Sequence, residues 1–349
     1  MKFIIVVPEI VQCGPLNVIR NMISSPVFLE HNVLLVELRK SKENSYKSSF
    51  YSYVDDIVSL DGFSLKSLKL LKGIIGKYKP NYLNSHGIYP DIMLFLIRGV
   101  AVKKLSTIHC IFYQDYLSKY NYLGLFYSLL HYLVLAFGGF HKIIGCSKVV
   151  ANSLSNILFF NNIDYVDNGI DTRNLPINNT EKENLRNSLG LGNDFVITFC
   201  GNVERVKRVP ELYEKYISKL DIESVKFMIV GDGPELEMIQ GTNVIKVGRV
   251  TDPSIYLSIS DVVVSNSSSE GYPMAILEAL SHNCKVFLSD IPSHRYIISK
   301  YPKYAYDLKK LDLQLISDIL CIKMSEIELY SLSSDKMASD YLQNIKRVQ

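Results

Sequence analysis

The sequence predicts an α/β protein with two doubly wound, Rossmann-like domains, and three observations point to it. The chain has 349 residues, more than one hydrophobic core usually organises. Short apolar runs rich in β-branched residues recur along it, separated by intervals long enough for a helix. A stretch dominated by turn formers and charge, residues 169–192, divides the runs into two series. We therefore expect two parallel sheets, each covered by helices, facing each other across a cleft.

Each apolar run is interpreted as one strand, because strands covered on both faces are apolar without alternation. In the first series the runs occupy residues 3–7, 32–38, 55–60, 81–86, 103–109 and 141–147. In the second series they occupy residues 195–201, 225–231, 243–248, 261–266 and 285–290. The expected division is an N-terminal domain over 1–168, a linker over 169–192, a C-terminal domain over 193–333 and a helix over 334–349 that could pack back on the N-terminal domain.

Composition excludes several classes of protein. Apolar residues make up 48% and charged residues 21%, so the chain is neither disordered nor collagen-like. A net charge of +3 gives no sign of a nucleic-acid partner. The six cysteines lie far apart without a CxxC pair, which favours reduced thiols over a disulfide framework or a zinc site. We expect a cytoplasmic globular protein.

One segment challenges that view, because residues 122–140 contain no Asp, Glu, Lys or Arg and are just long enough to cross a bilayer. His131 at its centre and three glycines favour a buried or membrane-facing helix over a true span. Lys66, Lys69 and Lys72 recur every three residues on one predicted helical face. Together with the apolar segment they would suit an anionic lipid surface, or they are a solvated face beside a buried helix.

The sharpest chemical signal follows the run at 261–266 and opens a helix. Pro273 suits the first helical position, and the free amides of the next residues, Met274 and Ala275, would form an anion site with the helix dipole. Glu270 precedes this helix and Glu278 lies about a turn and a half inside it. The two carboxylates could hold two parts of one extended ligand, or they are a capping residue and a surface residue.

A second signal follows the run at 195–201. From Gly201 the chain continues with three cations in four positions, Arg205, Lys207 and Arg208. On a loop between a strand and a helix such charges could neutralise a phosphate, and they could equally be a solvated charge run.

Together these motifs resemble those of GT-B glycosyltransferases of the family-4, retaining, nucleotide-sugar-dependent type. Glu270 and Glu278 match the E-x7-E motif of that family, and the loop from Gly201 to Lys207 matches its phosphate-binding loop. Residues 167–171 match the N-G-[VI]-D signature, and residues 231–236 match the G-x-G-P turn. The resemblance extends over nearly the whole chain and is strongest from 141 to 298.

The resemblance implies a hexosyltransferase or N-acetylhexosaminyltransferase that moves a sugar, with retention, from a nucleotide diphosphate sugar, typically UDP-linked. The acceptor would be a glycan or a lipid-linked saccharide in bacterial surface polysaccharide synthesis, such as lipopolysaccharide or capsule. The protein would work as a monomer in the cytoplasm, at the inner face of the membrane, without a metal or other cofactor.

Residue roles follow from the resemblance by position. It implies that Glu270 contacts the hydroxyls of the donor sugar, Glu278 the ribose and Lys207 the leaving diphosphate. Further donor contacts are expected from residues in the neighbouring loops: Gly14, Gly201, Arg205, Arg249, Val250, Pro273, Met274 and Ala275. His109 stands where the family often has a histidine beside the reacting sugar, whereas for His86 a role at the acceptor site and a place in the core are equally compatible with the pattern.

The sequence departs from the family at three positions. Asn202 replaces the usual Arg, Tyr296 a common Glu, and Cys13 one glycine of the first loop. These departures leave an alternative open, in which the chain is a non-catalytic partner or sensor that binds a nucleotide sugar on the same fold. An NAD-dependent oxidoreductase is disfavoured, because no strand is followed by a complete GxGxxG motif.

Overall fold

The computed structural model describes residues 1–158, 162–173, 178–220 and 225–346. The chain forms two compact units, Met1–Ile170 with Ser333–Gln349 and Asp171–Leu332. Each unit contains one sheet whose strands are all parallel. Helices alternate with the strands in both units, so the predicted class of two doubly wound α/β domains is confirmed.

The first unit has a seven-stranded sheet in the order β3-β2-β1-β4-β5-β6-β7. Its central strands are apolar because they are buried on both faces, and Phe3–Val7 is buried throughout. The strands are β1 (Lys2–Val7), β2 (Asn32–Glu37), β3 (Asp56–Ser59), β4 (Tyr82–His86), β5 (Lys103–Ile108), β6 (Lys142–Gly145) and β7 (Ile163–Tyr165).

Side-chain caps define where several helices of the first unit begin. Ser64 and Ser147 each accept a hydrogen bond from the backbone amide three residues on, which satisfies a donor that the helix itself leaves unpaired. The helices are α1 (Gly14–Ile23), α2 (Pro26–Leu29), α3 (Ser45–Ser48), α4 (Leu65–Tyr78), α5 (Ile88–Leu96), α6 (Phe112–Tyr120), α7 (Leu123–Phe137) and α8 (Lys148–Ser155).

The second unit has a six-stranded sheet in the order β10-β9-β8-β11-β12-β13. Its strands are β8 (Phe195–Cys200), β9 (Val225–Val230), β10 (Val244–Gly248), β11 (Val262–Ser265), β12 (Lys285–Leu288) and β13 (Ala305–Asp307). Its helices are α9 (Asn179–Ser188), α10 (Val209–Lys215), α11 (Ser254–Ser258), α12 (Met274–Ser281), α13 (Pro292–Lys300), α14 (Leu313–Ile319) and α15 (Glu326–Leu332).

Strand order reverses at one place in each sheet, between β1 and β4 in the first unit and between β8 and β11 in the second. At such a switch point the connections leave the sheet in opposite directions, so the loops at the carboxyl ends of the two strands part. Ligands of doubly wound sheets bind in the crevice that this leaves. The site must therefore be sought in the loops that follow these four strands.

The stretch expected to be a linker, residues 169–192, contains the helix α9, which the charge-rich sequence did not reveal. This helix has no buried residue, so no apolar stripe marks it. Arg186 holds it to the second unit by donating to the carbonyls of Ile259, at 3.0 Å, and Asp194, at 2.5 Å. Residues 174–177 of this stretch lie outside the described residues.

The final helix, α16 (Ser334–Lys346), belongs to the first unit and contacts α1 and α2. Gly169 lies against its beginning, where the amide of Gly169 is 3.1 Å from Sδ of Met337. The amide of Ser334 donates to the carbonyl of Ile170 at 2.7 Å. A Cβ built on Gly169 would stand 2.3 Å from the carbonyl oxygen of Ser333, so the glycine of the N-G-[VI]-D motif is required by this close approach.

The uncharged segment 122–140 forms the helix α7, which packs on α5 and α6. No described helix combines the length and the hydropathy needed to cross a membrane. His131 lies on the buried face of α7, whereas the opposite face exposes a stripe of large apolar side chains: Leu125, Phe126, Leu129, Leu133 and Phe137. Tyr122, just before the helix, is exposed as well.

We predict that Gly169→Ala destabilises the first unit by about 1–3 kcal/mol, because the added methyl group forces the backbone of residue 333 to move. Chemical denaturation of the full chain measures the change. The control is Gly76→Ala on α4, where a Cβ meets nothing within 4 Å and the helix gains about 0.5–1 kcal/mol. Equal stability of the two variants would contradict the close approach.

Candidate functional site

In the second unit, the loop after β8 is held against the loop after β11. Arg208 adopts a left-handed backbone conformation, with φ of 50°, and donates to the carbonyls of Asn266 and Ser267 at 3.0 and 3.3 Å. The amide of Ser268 donates in return to the carbonyl of Val206 at 2.8 Å. Arg208, one of the three sequence-predicted cations, is thus used to join the two loops at the switch point.

Two glycines allow the loops after β8 and β9 to touch. A Cβ on Gly231, where φ is 146°, would lie 1.9 Å from the carbonyl oxygen of Gly201. A Cβ on Gly233 would lie 2.4 Å from that of Val203. The G-x-G-P turn therefore shapes the loop after β8 through backbone contact.

Lys207 and Glu270 form an ion pair across the switch point. Lys207 Nζ donates to Glu270 Oε1, and Ser267 Oγ donates to the same oxygen at 2.8 Å. Burial alone would raise the pKa of Glu270, but the charge and hydrogen bond of Lys207 outweigh it and lower the pKa. Glu270 is therefore an ionised carboxylate that accepts hydrogen bonds, largely shielded from solvent, with 14% of its side chain exposed.

His294 on α13 lies beside this pair, and the sequence analysis did not identify it. Its Nδ1 is 3.1 Å from the carbonyl oxygen of Ser289, which can only accept, so Nδ1 carries the proton. Burial lowers the pKa of His294 to about 4, against the opposing charge of Glu270. The residue is fully buried, and its Nε2 has no hydrogen-bond partner among the described residues. His294 thus presents a bare lone pair near Glu270.

The helix α12 begins at Met274, one residue later than expected, because Pro273 has an extended backbone with ψ of 117° and stands at the capping position. The carbonyl of Pro273 accepts from the amides of Ile276 and Leu277 at 3.2 and 3.3 Å. The amides of Met274 and Ala275 donate to no backbone acceptor in the part of the chain that is described. These two donors lie at the positive end of the helix dipole, where the sequence predicts an anion site.

Glu278 lies on α12, and its charge acts on the Cys200 thiol at the end of β8. Burial raises the pKa of the Cys200 thiol, and the charge of Glu278 raises it further, whereas Lys207 acts in the opposite direction. A carboxylate and an ammonium group therefore both approach Cys200, the last residue of β8. The structure thus brings Lys207, Glu270 and Glu278 to one switch point.

The remaining residues of this unit that are predicted to contact the donor make fewer contacts with the rest of the protein. Arg205 and Arg249 are exposed, and Arg205 forms no ion pair with any described residue. Val250 packs instead against the small apolar cluster that contains Val196 and Val230. Gly248 precedes this pair with φ of 81°, and its carbonyl accepts from the amide of Gly231.

In the first unit, Gly14 begins α1 in the loop after β1. It is exposed, its φ is not positive, and a Cβ built on it would meet nothing within 4 Å. Neither the backbone nor the packing of this chain therefore requires glycine at position 14.

His109 follows β5 and is joined to His86 at the end of β4. His86 Nδ1 and His109 Nε2 are 2.8 Å apart, and His86 Nε2 is 2.8 Å from the amide nitrogen of Asn84. Burial lowers the pKa of His109 to about 4 and that of His86 well below its usual value. Both imidazoles are neutral at physiological pH. His86 is buried and in direct contact with His109.

We predict that lowering the pH destabilises the native state through His294. Its pKa in the folded chain, about 4, lies below the value near 6.5 in the unfolded chain, so the unfolded chain takes up a proton first as the pH falls. The stability contributed by the neutral ring is complete above about pH 6.5 and is lost progressively toward pH 4. At pH 5 the loss is about 2 kcal/mol.

The free energy of unfolding at pH 7 and pH 5, measured for wild type and His294→Asn, checks this. The asparagine amide can replace the Nδ1 donor but does not titrate, so the variant should lose about 2 kcal/mol less than wild type between the two pH values. Identical losses would show that His294 titrates normally in the folded chain.

The part of the chain that carries this site is similar to known proteins. Residues 194–305, which include Lys207, Glu270 and Glu278, match the family model described as glycosyl transferases group 1. The chain is 25% identical over 312 residues to the O-antigen biosynthesis glycosyltransferase WclY of Escherichia coli, covering 84% of this chain and 81% of that one.

Solved structures share the architecture. The crystal structure of Anabaena Alr3699/HepE in complex with UDP-glucose has a TM-score of 0.80 at 12% identity, over 99% of this chain and 100% of that one. The lipopolysaccharide outer core galactosyltransferase WaaB has a TM-score of 0.65 at 14% identity, over the whole of both chains. Together with the two parallel sheets and the motifs gathered at the switch point, these similarities show a glycosyltransferase with the GT-B fold, whose residues 194–305 resemble the glycosyl transferases group 1.

Proposed function

We propose that this glycosyltransferase transfers a hexose or N-acetylhexosamine, with retention, from a UDP-linked donor to a glycan or lipid-linked saccharide. The observation that supports this best is the group at the second unit's switch point. There, the loops after β8 and β11 carry a lysine, an ionised carboxylate and two helix amides that donate to no described backbone acceptor. A diphosphate needs the cation and the amides, and a sugar needs the carboxylate.

In this scheme Lys207 and the amides of Met274 and Ala275 stabilise the leaving diphosphate. Negative charge grows on the phosphate as the glycosidic bond breaks, and donors already aimed at that place require little rearrangement. Lys207 would exchange its contact with Glu270 for one with the phosphate. Arg205, exposed on the same loop, is available as a second cation. We propose that these groups do the work without a metal ion.

Glu270 would then bind hydroxyl groups of the donor sugar. Its lowered pKa keeps it ionised, and Ser267 orients the carboxylate by donating to Oε1. The other oxygen, Oε2, accepts no bond from Lys207 or Ser267 and is available to a sugar hydroxyl. Glu278, a turn and a half further along α12, is proposed to bind the ribose, and the stretch at Arg249 and Val250 to bind the base.

The donor base is proposed to be uracil. The fold neighbour from Anabaena was solved in complex with UDP-glucose, and its architecture covers 99% of this chain. The exposed loop after β10, with the guanidinium of Arg249 beside the apolar side chain of Val250, suits a flat polar base.

Two residues of the first unit are proposed to contact the donor as well. Gly14 has no structural need to be glycine, and the missing side chain leaves its backbone open to close approach by a ligand. His109 is proposed to lie beside the reacting sugar, as the family resemblance implies.

The acceptor is proposed to be a saccharide of bacterial surface polysaccharide, carried on a lipid. The relative WclY is named for O-antigen biosynthesis. The exposed apolar stripe of α7, which includes Leu125, Phe126 and Leu129, is proposed to rest on the inner face of the membrane. The exposed lysines of α4, including Lys66, Lys69 and Lys72, add positive charge to the same unit.

We predict that Lys207→Gln abolishes the stabilisation of the protein by UDP and lowers kcat by about 10²–10³-fold, because one preorganised donor to the leaving group is lost. Differential scanning fluorimetry with UDP and UDP-sugars, followed by transfer assays in EDTA, measures both effects. In wild type, UDP at 100 times its Kd should add about 2.7 kcal/mol of stability.

The matched control is Lys226→Gln. Lys226 also forms an ion pair, 3.3 Å from Asp194, and its side chain is 25% exposed, against 24% for Lys207. It lies at the beginning of β9, away from the carboxyl ends of the strands. An exposed pair of this kind contributes about 0–1 kcal/mol, so binding and turnover should stay near wild type. An equal loss in both variants would contradict the phosphate role of Lys207.

We predict that Phe126→Ser with Leu129→Ser lowers binding to vesicles of phosphatidylcholine and phosphatidylglycerol by at least tenfold, since about 1.4 kcal/mol or more of apolar burial is lost. Sedimentation with the vesicles measures it. The control is Ile327→Ser, which removes an exposed apolar side chain outside α7 and should leave vesicle binding unchanged. Ile327 is 83% exposed on α15 in the other unit. Vesicle binding that survives the double substitution would remove α7 from the membrane proposal.

A further inference from the structure

A chain of three hydrogen bonds ends on His109 in the first unit. Thr107 Oγ1 donates to Asn84 Oδ1 at 3.1 Å, and Asn84 Nδ2 is 2.8 Å from His86 Nε2. His86 Nδ1 is 2.8 Å from His109 Nε2. Asn84, His86 and Thr107 are 1%, 4% and 6% exposed, so water does not compete with these bonds.

Strand geometry explains why these four residues meet. Asn84 and His86 are two residues apart on β4, and Thr107 and His109 are two apart on or just after β5, so each pair faces one side of the sheet. The strands are neighbours, with His86 paired to Thr107 in the parallel register. The pattern N-x-H on one strand and T-x-H on the next is the sequence signal for this arrangement.

This series of hydrogen bonds has a direction, because the role of each group as donor or acceptor fixes the role of the next group. Asn84 Oδ1 accepts from Thr107, which turns its NH2 group toward His86, so His86 Nε2 must accept. A neutral His86 then carries its proton on Nδ1 and donates it to His109. His109 Nε2 is therefore an acceptor already in use, and the proton of the neutral His109 ring is on Nδ1.

We propose that Asn84 and His86 are positioning residues that hold His109 in the Nδ1–H tautomer, so that it offers an N–H donor to an oxygen of the donor sugar. His109 is then a hydrogen-bond donor and does not take the proton of the acceptor hydroxyl. This inference rests on the proposed function for the identity of the sugar, whereas the tautomer is a property of the chain itself.

Two features support the proposal. Burial lowers the pKa of both histidines, so neither ring becomes a cation near neutral pH. The direction of the hydrogen-bond series is therefore kept. His109 is only partly buried, whereas the other three residues are fully buried. The hydrogen-bond series therefore reaches the surface at His109.

The first test measures the tautomer directly. Long-range ¹H–¹⁵N correlation spectra of the full chain with ¹⁵N-labelled histidine distinguish Nδ1–H from Nε2–H rings, and His86→Asn and His109→Gln assign the two signals among the seven histidines. We expect Nδ1–H for both His86 and His109 at pH 7. A proton on Nε2 of His109, as would follow if the amide of Asn84 were turned the other way, overturns the proposal.

The second test links the tautomer to catalysis with a pair of substitutions at one position. The amide of His86→Asn can place an N–H where Nδ1 was, whereas His86→Leu leaves Nε2 of His109 without a donor. We expect His86→Leu to lose the Nδ1–H signal of His109 and to lower kcat about tenfold with little change in the KM for the donor. His86→Asn should retain the signal and recover most of the rate.

The outcomes separate the two proposals. A His86→Leu protein that has lost the Nδ1–H signal but keeps the wild-type rate overturns the positioning role. A wild-type chain with the expected tautomer that neither binds nor turns over any nucleotide sugar contradicts the proposed function and leaves the tautomer assignment standing. Because the wild-type spectrum decides the tautomer, the proposal stays testable even if His86→Leu does not fold.

Discussion

Everything in the candidate site depends on the reversal of strand order in each parallel sheet. Where two neighbouring strands send their chains in opposite directions, no helix can cover the crevice between their carboxyl ends. In the second unit this separates the loops after β8 and β11, which carry Lys207 and Glu270. In the first unit it lies between β1, which leads to Gly14, and β4, which ends at His86. The candidate site residues lie in loops at the strand ends that the topology leaves uncovered by helices.

Some glycines in this chain are demanded by the fold, whereas others, Gly14 among them, are not. Gly231 and Gly169 each stand where a methyl group would collide with a backbone carbonyl, so both family motifs that contain them are partly packing motifs. Gly14 has open space and an ordinary backbone conformation. A motif match alone cannot separate these cases, because sequence shows the absence of a side chain and not the reason for it.

Much of the fold could be predicted because buried parallel strands leave a strong apolar signal. All eleven apolar runs became strands, and each strand begins and ends within two residues of its run. The strands β7 and β13 were missed, since each has three residues, lies at a sheet edge and is partly exposed. The helix α9 was missed because a surface helix without a buried face has no periodic apolar stripe.

The site was predicted where a motif carries it and missed where only the fold brings residues together. Lys207, Glu270 and Glu278 follow from short motifs, and the structure gathers them at one switch point. His294 lies 24 positions after Glu270 on another helix, so nothing local links the two. The contact of His86 with His109 likewise requires the register of β4 and β5, which sequence spacing alone does not reveal. The roles that the resemblance assigns to the individual donor contacts stay predictions.

The return of α16 to the first unit has a consequence for synthesis of the chain on the ribosome. The first unit is assembled from residues at both ends of the described chain, with the whole second unit between them. During synthesis the second unit is therefore complete while the first unit still lacks its last helix. The surface of α1 and α2 that α16 covers stays exposed until that helix is made. A nascent chain halted after residue 332 would carry a complete second unit and an unfinished first unit. Its exposed apolar surface would lie in the unit that was begun first.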